Sequence, residues 1–343
     1  MPVTIRPLDT STESAWDDFV MAMAGGTFFH RSAWARVIER VFRHRSYFVY
    51  AERDGSITGV LPLVQVNTIF FGHSLISNPF CVYGGPLASD AESAAMLKAY
   101  AIDLQDRIGA SSLEFRYRDA VEDDWVVPPD LYVTFRKAIG PNHDVNMKAI
   151  PRKQRAMVRK GLQNGLTSVA DRNYERMHAI FAESVHNLGT PAFSPRYFSA
   201  LLDAFGDDAD VVTILDDGDP IASVLNFYFR DEVLPYYGGG TTAARQRAGN
   251  DFMYWEVMRR AADRGIRQFD FGRSKIGTGS FSFKHNWGFE AKKLNYRFRL
   301  APGRLLPELN PMNPKYRLLI AAWKRLPLPL ANILSPPIIR GLG

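Results

Sequence analysis

The residue types best suited to chemistry lie in one segment, residues 268–288. A strand-like stretch reaches Asp270, a glycine-rich loop follows, and Lys284 then comes between aromatic residues. Glycines let a backbone approach a ligand closely and present its N–H groups. A lysine that Phe283 and Trp287 shield from water can stabilise negative charge on an acyl carbonyl oxygen or a phosphate leaving group. The alternative is a surface hairpin that carries a solvated lysine.

A second candidate site lies at a predicted helix start, where free backbone N–H groups can bind an anion. The spacing there resembles the Q/R-x-x-G-x-G/A phosphate loop of acetyltransferases, and the candidate cofactor-binding residues are Gln246, Arg247, Gly249 and Asn250. Asp251 replaces the last small residue of that loop and would repel a pyrophosphate. An ordinary helix start capped by Asn250 or Asp251 is the alternative.

A run of cations without an acidic residue spans residues 148–160. Helical spacing places Arg152, Arg155 and Arg159 on one face, where they can hold phosphates or an RNA backbone. A solvated helix face is the alternative. Arginines do not alternate with aromatic residues there, so the segment does not indicate base-specific reading of RNA.

A loop at residues 189–194 leads into a helix that begins with Pro195 in its first turn. Phe193 and Tyr197 are candidates for the wall of a substrate pocket. For each of these aromatic residues taken singly, packing in the core is the simpler explanation.

Composition limits the class of protein. The 343 residues carry a net charge of +6, and 46% of them are hydrophobic, enough for a sizeable core in about two domains. The basic balance favours anionic partners. Cys81 is the single cysteine and lies in an apolar stretch, which fits a reducing compartment. No signal peptide or membrane-spanning stretch is visible, so we expect a cytoplasmic protein.

Several catalytic motifs are missing from the sequence. There is no G-x-S-x-G or HExxH, and the glycines between Gly272 and Gly277 are followed by Thr278 instead of the lysine of a phosphate-binding P-loop. The histidines lack metal-ligand spacing, so no metal site is expected. Cys81 is expected to act as a small hydrophobic residue.

Hydrophobic periodicity predicts a mixed α/β chain with the same order in both halves: hairpin, aromatic-glycine segment, helix, strand. The aromatic-glycine segments are VYGGPL from Val82 and YYGGGT from Tyr236. We expect domains at 1–145 and 146–301, and a tail at 302–343 that packs back on the first domain. The predicted helices are 32–41, 91–108, 174–188, 195–205, 250–264 and 314–326, with prolines ending the last; the predicted strands are 46–52, 56–66, 112–117, 210–215, 221–230, 232–237 and 268–271.

Together these segments resemble the FemAB family of bacterial peptidyltransferases, and more closely its branch associated with the PEP-CTERM and exosortase system. The resemblance covers residues 25–300. It is carried by residues 29–36, 82–86, 152–161, 189–198, 270–274 and 283–284.

The resemblance implies two tandem domains of the GNAT acetyltransferase fold. It also implies transfer of an aminoacyl group from aminoacyl-tRNA to an amine. Lys284 would neutralise charge at the transferred ester, with Phe283 beside it, and Tyr197 and Tyr237 occupy the positions of two family tyrosines. Ile38 and Phe193 stand where peptidoglycan-acting relatives have cations that grip nucleotide-sugar phosphates, which weakens the expectation of a peptidoglycan precursor as substrate.

We therefore expect an acyl- or aminoacyltransferase of cell-envelope or exopolysaccharide biogenesis, with no tightly bound cofactor. The donor is aminoacyl-tRNA or acyl-CoA, and the acceptor is a small-molecule, glycan-linked or lipid-linked amine. Asp270 and Tyr237 are the acid–base candidates, and Arg273 and Ser274 would bind substrate. The alternatives are a CoA-dependent N-acetyltransferase and a non-catalytic ligand-binding protein. The basic tail is a candidate for peripheral contact with the inner face of an anionic membrane.

Overall fold

The computed structural model describes residues 2–68, 72–121, 123–128, 132–306 and 314–342. The strands there are β1 (Thr4–Pro7), β2 (Arg45–Arg53), β3 (Ser56–Thr68), β4 (Gly72–Ser77), β5 (Leu87–Ala88), β6 (Ser112–Tyr117), β7 (Tyr132–Ala138), β8 (Thr167–Asp171), β9 (Ala209–Asp216), β10 (Asp219–Phe229), β11 (Glu232–Gly240), β12 (Gln268–Asp270), β13 (Ser274–Lys275), β14 (Ala291–Lys293) and β15 (Asn295–Leu300).

The helices are α1 (Glu13–Ala22), α2 (Ala33–Phe42), α3 (Ala91–Ile108), α4 (His143–Ala149), α5 (Arg152–Gln163), α6 (Tyr174–Leu188), α7 (Pro195–Phe205), α8 (Thr242–Arg247), α9 (Gly249–Asp263), α10 (Gly279–Asn286), α11 (Pro314–Trp323) and α12 (Leu328–Ile339). Single turns of 3₁₀ helix occur at Phe28–His30 and Gly206–Asp208. In the part of the chain described, no helix is long and apolar enough to cross a membrane.

The chain divides into two compact units. Unit 1 comprises Met1–Asp130, Leu294–Leu309 and Arg340–Gly343, and unit 2 comprises Leu131–Lys293 and Asn310–Ile339. The boundaries of these units differ from the expected limits at 145/146 and 301/302. The reason is that each sheet includes a strand that is distant in the sequence. Strand β15 completes the sheet of unit 1, and β7 lies inside the sheet of unit 2.

Unit 1 has a seven-stranded sheet in the order β1-β2-β3-β4-β6-β15, with β5 beside β3. Neighbours are antiparallel except β4 and β6, which run parallel. Helix α3 covers the sheet and buries Leu97, Ala101 and Leu104. Asp90 caps this helix by accepting a hydrogen bond from Ser93 N, and Gly109 ends it in a left-handed conformation that glycine adopts without strain.

Unit 2 has an eight-stranded sheet in the order β13-β7-β12-β11-β10-β9-β8, with β14 beside β7. Side chains of a strand alternate between its two faces. Val212 and Ile214 of β9 share a core cluster with α9, whereas Thr213 between them accepts a hydrogen bond from Arg176 of α6. Helices α9 and α6 therefore cover opposite faces of this mixed sheet.

Most predicted elements are confirmed. The helices at 91–108, 174–188 and 195–205 and the strand at 112–117 are observed with the expected limits, and the others in the two halves agree within a few residues. Strands β7 and β15 were not predicted, because each pairs with a strand more than 120 residues away and neither has a local turn partner.

The prediction that prolines end the helical structure of the tail was wrong. Prolines were expected to end the helical structure after residue 326, but α12 runs through Pro336 and Pro337. Pro329 lies in the first turn, where a missing N–H costs nothing, and the two later prolines lie near the helix end. The tail was also expected to pack back on the first domain. Helix α12 packs instead on α6 within unit 2, whereas Arg340 after it belongs to unit 1, where its carbonyl oxygen lies 2.7 Å from His44 Nε2.

Candidate functional site

A gap opens in unit 2 where its two parallel strands part. Strands β11 and β12 pair at Glu232 with Gln268 and at Val233 with Phe269. Beyond these pairs β11 stays bonded to β10 as far as Gly240, whereas β12 ends at Asp270. The segment that follows β12 is therefore not paired with β11 in the ladder of described residues. We call the space between the two backbones the gap, and both of its borders carry residues of the predicted site.

Lys284 lies at the β12 border of this gap. Helix α10 carries it, and Thr278 caps that helix by accepting a hydrogen bond from Phe281 N at 3.3 Å. The Lys284 Nζ donates to three consecutive backbone carbonyls: Phe271 O at 2.6 Å, Gly272 O at 3.2 Å and Arg273 O at 3.1 Å. An ammonium group has three protons, so these carbonyls can accept all of them.

The surroundings of Lys284 favour loss of its charge. Its Nζ lies 5.9 Å from the ring centre of Phe135 and 6.0 Å from that of Phe271. Burial is the main cause that lowers the pKa of Lys284 to about 7; the carboxylate of Asp270 opposes the shift, and the nearby positive charge of Arg273 adds to it. Lys284 therefore changes its charge near neutral pH, which is uncommon for a lysine and frequent at functional sites.

Asp270 is fully buried at the end of β12. Its Oδ1 accepts hydrogen bonds from Gly272 N at 2.7 Å and from Thr134 Oγ1 at 3.2 Å, and its Oδ2 lies 3.4 Å from Arg136 Nε. Burial raises the pKa of Asp270, and Arg136 is the main opposing influence. Asp270 thus fixes the turn at Gly272, whose carbonyl is one of the three that Lys284 contacts.

Strand β7 supplies two partners of this site that the sequence did not reveal. Thr134 binds Asp270, and Arg136 forms ion pairs with both Asp270 and Glu232. Both residues precede the site by more than 130 positions. Only the pairing of β7 with β12, in which Arg136 lies opposite Asp270, brings them to it.

An aromatic wall forms the other border of the gap. It consists of Phe193, Tyr197, Tyr236 and Tyr237. The hydroxyls of Tyr197 and Tyr237 are hydrogen-bonded to each other at 3.0 Å, and the ring of Phe193 lies 4.7 Å and 5.1 Å from their rings. The structure brings together the two predicted tyrosines, one from α7 and one from β11.

Tyr236 connects the aromatic wall with the loop that Lys284 binds. Its ring lies 4.8 Å from that of Tyr237, and a Cβ placed on Gly272 would come within 3.8 Å of its Cε2. Gly272 has a φ of +64°, a conformation that favours glycine. The aromatic wall, with Tyr197, Tyr237 and Phe193, thus reaches through Tyr236 the loop whose carbonyls Lys284 contacts.

Tyr254 of α9 is a further neighbour whose position the sequence did not predict. Its ring lies 4.9 Å from that of Phe271, and a Cβ on Gly238 of β11 would come within 3.2 Å of its hydroxyl. Burial raises the pKa of Tyr254 to about 12. Its hydroxyl therefore keeps its proton at neutral pH.

Phe283 and Trp287 position α10. The ring of Phe283 lies 5.4 Å from that of Tyr254, and Trp287 is fully buried. The indole Nε1 of Trp287 donates to Asp251 Oδ1 at 3.0 Å, which attaches the end of α10 to α9. These contacts give Trp287 a place in the core of unit 2.

Arg273 and Ser274 follow the loop directly. The guanidinium of Arg273 lies over the ring of Tyr132 at 4.9 Å, and this arginine is exposed. Ser274 is buried in β13 opposite Val133. Arg273 thus faces solvent next to the carbonyl to which Lys284 donates.

In the predicted phosphate loop, Arg247 and Asn250 already contact other residues of unit 2. Arg247 forms a two-pronged ion pair with Asp216, with both N–O distances 2.8 Å, and donates to Asn164 O at 2.9 Å. Gly249 is buried, Gln246 is exposed on α8, and the side chain of Asn250 contacts Gly240.

Asp251 has a structural role as well. It accepts hydrogen bonds from Trp287 and, at 3.3 Å, from Gln154 Nε2, and burial raises its pKa. It links three helices of unit 2, which explains why a carboxylate stands where acetyltransferases have a small residue.

The basic helix α5 begins close to the end of α10. Its buried face carries Gln154, Val158 and Gly161, so Arg152 and Arg159 are exposed, while Arg155 is half-buried and donates to Lys148 O at 3.1 Å. A Cβ on Gly288, just after α10, would come within 2.9 Å of Pro151 Cδ. The exposed cations of α5 therefore begin close to the end of the helix that carries Lys284.

Within the described ranges, no group of three or more histidine, cysteine, aspartate or glutamate side chains could hold a metal ion.

Residues 148–285 match the family model described as an acetyltransferase (GNAT) domain. In fold, the chain is similar to the crystal structure of FemX, with a TM-score of 0.67 and 15% identity over 87% of this chain and 97% of that one. It is also similar to a tandem GNAT protein from the clavulanic acid biosynthesis pathway, with a TM-score of 0.53 and 12% identity over 88% and 100% of the two chains.

A third similar structure is the C-terminal domain (DUF2156) of a putative lysylphosphatidylglycerol synthetase from Agrobacterium fabrum, with a TM-score of 0.52 and 14% identity over 85% and 92% of the two chains. No curated protein sequence matches the chain. The second half of the chain thus contains a GNAT domain, and the mixed α/β fold is that of two tandem GNAT-like units.

Proposed function

We propose that this protein transfers an acyl or aminoacyl group to a substrate amine in the gap between β11 and β12 of unit 2. The observation that carries the proposal is the amine of Lys284, held against three carbonyls at the end of β12 beside the buried carboxyl of Asp270. A GNAT domain covers the same residues, which supports acyl transfer as the class of reaction.

In the proposed step the acceptor nitrogen attacks the acyl carbonyl carbon. A C–N bond forms, and the bond between that carbon and the donor's ester oxygen or thioester sulfur breaks. The proton that the nitrogen loses ends on the departing oxygen or sulfur, so the atoms and charges balance. Holding both reactants in one gap supplies much of the rate by proximity.

Lys284 stabilises the negative charge that develops during this step. Its hydrogen bond to Phe271 O is short, whereas those to Gly272 O and Arg273 O are longer by about half an ångström. Exchanging one of the longer bonds for a bond to the substrate oxygen lets the ammonium meet the new charge without leaving its anchor. A cation placed in advance and away from water acts most strongly on such charge.

The aromatic wall excludes water from the reacting groups. The mutual hydrogen bond of Tyr197 and Tyr237 satisfies two buried hydroxyls and holds both rings against Phe193. Ile38, at the other position where related enzymes have a cation, is fully buried in unit 1. We therefore do not propose that residues 38 and 193 bind nucleotide-sugar phosphates.

An ester donor of the aminoacyl-tRNA type fits the surroundings of the gap better than a CoA thioester. Arg247, the cation of the predicted phosphate loop, is bound to Asp216, and the exposed Arg152 and Arg159 remain as phosphate contacts near α10. We accordingly infer a FemAB-type transferase. Membership of the exosortase-associated branch, a role in the cell envelope or exopolysaccharide formation, and the acceptor's identity stay predictions.

The test is the transfer activity of Lys284→Met, assayed separately with aminoacyl-tRNA and with acyl-CoA. Removing a preorganised group that stabilises developing charge lowers kcat by about 100- to 1000-fold. The control is Lys137→Met, because Lys137 is also half-buried, also donates to a backbone carbonyl, and also has a pKa lowered by burial. Full activity of folded Lys284→Met would refute the role of Lys284, and turnover of acyl-CoA alone would refute the ester donor.

A further inference from the structure

The outward face of the tail is apolar, although it has no partner among the described residues. On α12, Leu330, Ile333 and Leu334 are 42%, 72% and 42% exposed. Their spacing places them in one stripe along the helix. The opposite face, which packs against unit 2, carries the smaller Ala331 and Ser335 together with Ile339. A helix on a globular protein normally has the reverse arrangement, with its large apolar residues inward.

Helix α11 also carries large apolar residues that are exposed. Leu318 is 81% exposed and Leu319 is 64% exposed. The neighbouring Leu188, at the end of α6, is 61% exposed. Large contiguous apolar surface on a protein marks a site of interaction with a protein or a membrane.

The charge of the tail identifies the partner. Residues 314–339 contain four cations and no acidic residue, and α12 contains no charged residue at all. Lys324 and Arg325 are exposed in the turn that precedes α12 and its apolar stripe in the chain. An apolar face with lysine and arginine at its edge is the pattern of a segment that lies in the interface of an anionic bilayer.

The tail is firmly attached to unit 2. A Cβ on Gly189 would contact Ile320 Cγ2 and would come within 2.9 Å of Lys324 Cε, so the glycine permits a close approach of α11. His186 Nε2 lies 3.1 Å from Trp323 O, and Ala192 N donates to Ser335 Oγ at 3.1 Å. The outward apolar residues are thus presented on a fixed scaffold.

We propose that α11 and α12 dock this protein on the surface of an anionic phospholipid bilayer, with the stripe of Leu330, Ile333 and Leu334 inserted among the acyl chains and Lys324 and Arg325 at the lipid phosphates. The proposal does not depend on the transfer reaction. It places the loop of residues 189–194, which carries Phe193 of the aromatic wall, next to the membrane surface.

The direct test uses an environment-sensitive fluorophore on Ile333→Cys. The natural Cys81 is fully buried, so labelling of the folded protein is directed to the new thiol. Val145→Cys is the matched control, because Val145 is 59% exposed on α4 of the same unit. Vesicles of phosphatidylcholine with phosphatidylglycerol should shift the emission of the label at residue 333 to the blue and leave that at residue 145 unchanged. Equal responses at both positions, or none at residue 333, would overturn the proposal.

Co-sedimentation with the same vesicles tests the role of charge. Each cation near an anionic surface contributes about fivefold in affinity, so Lys324→Gln with Arg325→Gln should weaken binding about 25-fold. Ile333→Glu with Leu334→Glu should abolish it, and Val145→Glu should have no effect. Wild-type binding that is equal for vesicles with and without phosphatidylglycerol would contradict the proposal. The proposal would also be contradicted if the protein forms a dimer in the absence of vesicles and if Ile333→Glu with Leu334→Glu converts that dimer into a monomer.

Discussion

The two units end their parallel strand pairs in different ways. In unit 1, β4 and β6 pair from Ser74 with Ser112 to Ile76 with Glu114, and the chain then fills the space beyond them with its own buried residues 78–85. In unit 2, β11 continues past the pair and leaves a gap with Lys284 at its border. The same strand arrangement thus gives a closed end in one unit and a candidate active site in the other.

The two units also differ in how the cation near this end is neutralised. Arg116 of unit 1 donates to Glu114 Oε1 at 2.7 Å and to Cys81 O at 2.8 Å, and its backbone carbonyl accepts from Gly84 N at 3.0 Å. A carboxylate directly neutralises it. Lys284 of unit 2 has only carbonyl oxygens as hydrogen-bond acceptors in the described structure, and Asp270 acts on it without a direct bond. The charge of Arg116 is compensated within unit 1, whereas the charge of Lys284 is the one that the proposed reaction would use.

The largest expected effect on the free energy of unfolding is that of Arg116→Met, which should destabilise unit 1 and leave unit 2 unaffected. It leaves Glu114 buried without its ion-pair partner, which costs about 3–5 kcal/mol. Hydrogen exchange of β4 and β6 should show this loss, while kcat of the folded fraction stays unchanged. Glu114→Gln together with Arg116→Met should recover part of the stability. A large fall in kcat with unchanged exchange would place a functional site in unit 1 and break the comparison.

Acid should destabilise unit 1 through His30. Burial lowers the pKa of His30 to about 4 from 6.5. The unfolded chain therefore takes up a proton between pH 6.5 and 4 that the folded chain does not, and stability falls as the pH falls through that window. The difference of about 2.5 pKa units corresponds to about 3 kcal/mol.

Hydrogen exchange of unit 1 at pH 7.5 and 4.5 measures this effect in wild type and His30→Gln. The variant lacks the titrating group, so its protection should depend less on pH by about the same 3 kcal/mol. His30 Nε2 lies 2.9 Å from Gly85 O, in the segment that fills the end of unit 1. Identical pH dependence in both proteins would show that His30 does not stay neutral at this position.

The smallest expected effect concerns the aromatic wall. Tyr197→Phe removes one hydroxyl of the buried pair and with it their mutual hydrogen bond, which costs about 1 kcal/mol of stability. Because the rings exclude water and take no part in bond making, kcat should change by less than about threefold. The double variant with Tyr237→Phe should lose little more than either single one. A hundredfold fall in kcat for either would make its hydroxyl a catalytic group.

The sequence predicted the fold better than the site. Regular apolar spacing located α3, α6 and α7, and the repeated aromatic-glycine segments indicated the duplication. These segments nevertheless differ in structure, since residues 82–85 leave the sheet of unit 1 while Tyr236 and the glycines after it stay in β11. The similar sequences of the two segments could not reveal this difference, because the residues that each segment packs against determine whether it stays in the sheet.

The sequence indicated Lys284 as a candidate site residue, but it did not predict the helix that carries it or the residues around it. Helix α10 is rich in serine and phenylalanine, which form helices poorly, and its capping by Thr278 and packing against the core outweigh that preference. Thr134 and Arg136 reach Asp270 only through the pairing of β7 with β12. Distant strand pairing has no local signal, so these partners could not be found from spacing.

The most direct test of the account is the pH profile of kcat/KM for wild type and Lys284→Arg. Charged Lys284 is the active form, so wild-type activity is present below its pKa and is lost as the pH rises through about 7. Arginine keeps its charge throughout this range, so the account predicts that the descending limb disappears in the variant. A descending limb near pH 7 that persists in Lys284→Arg would contradict the proposed role of Lys284.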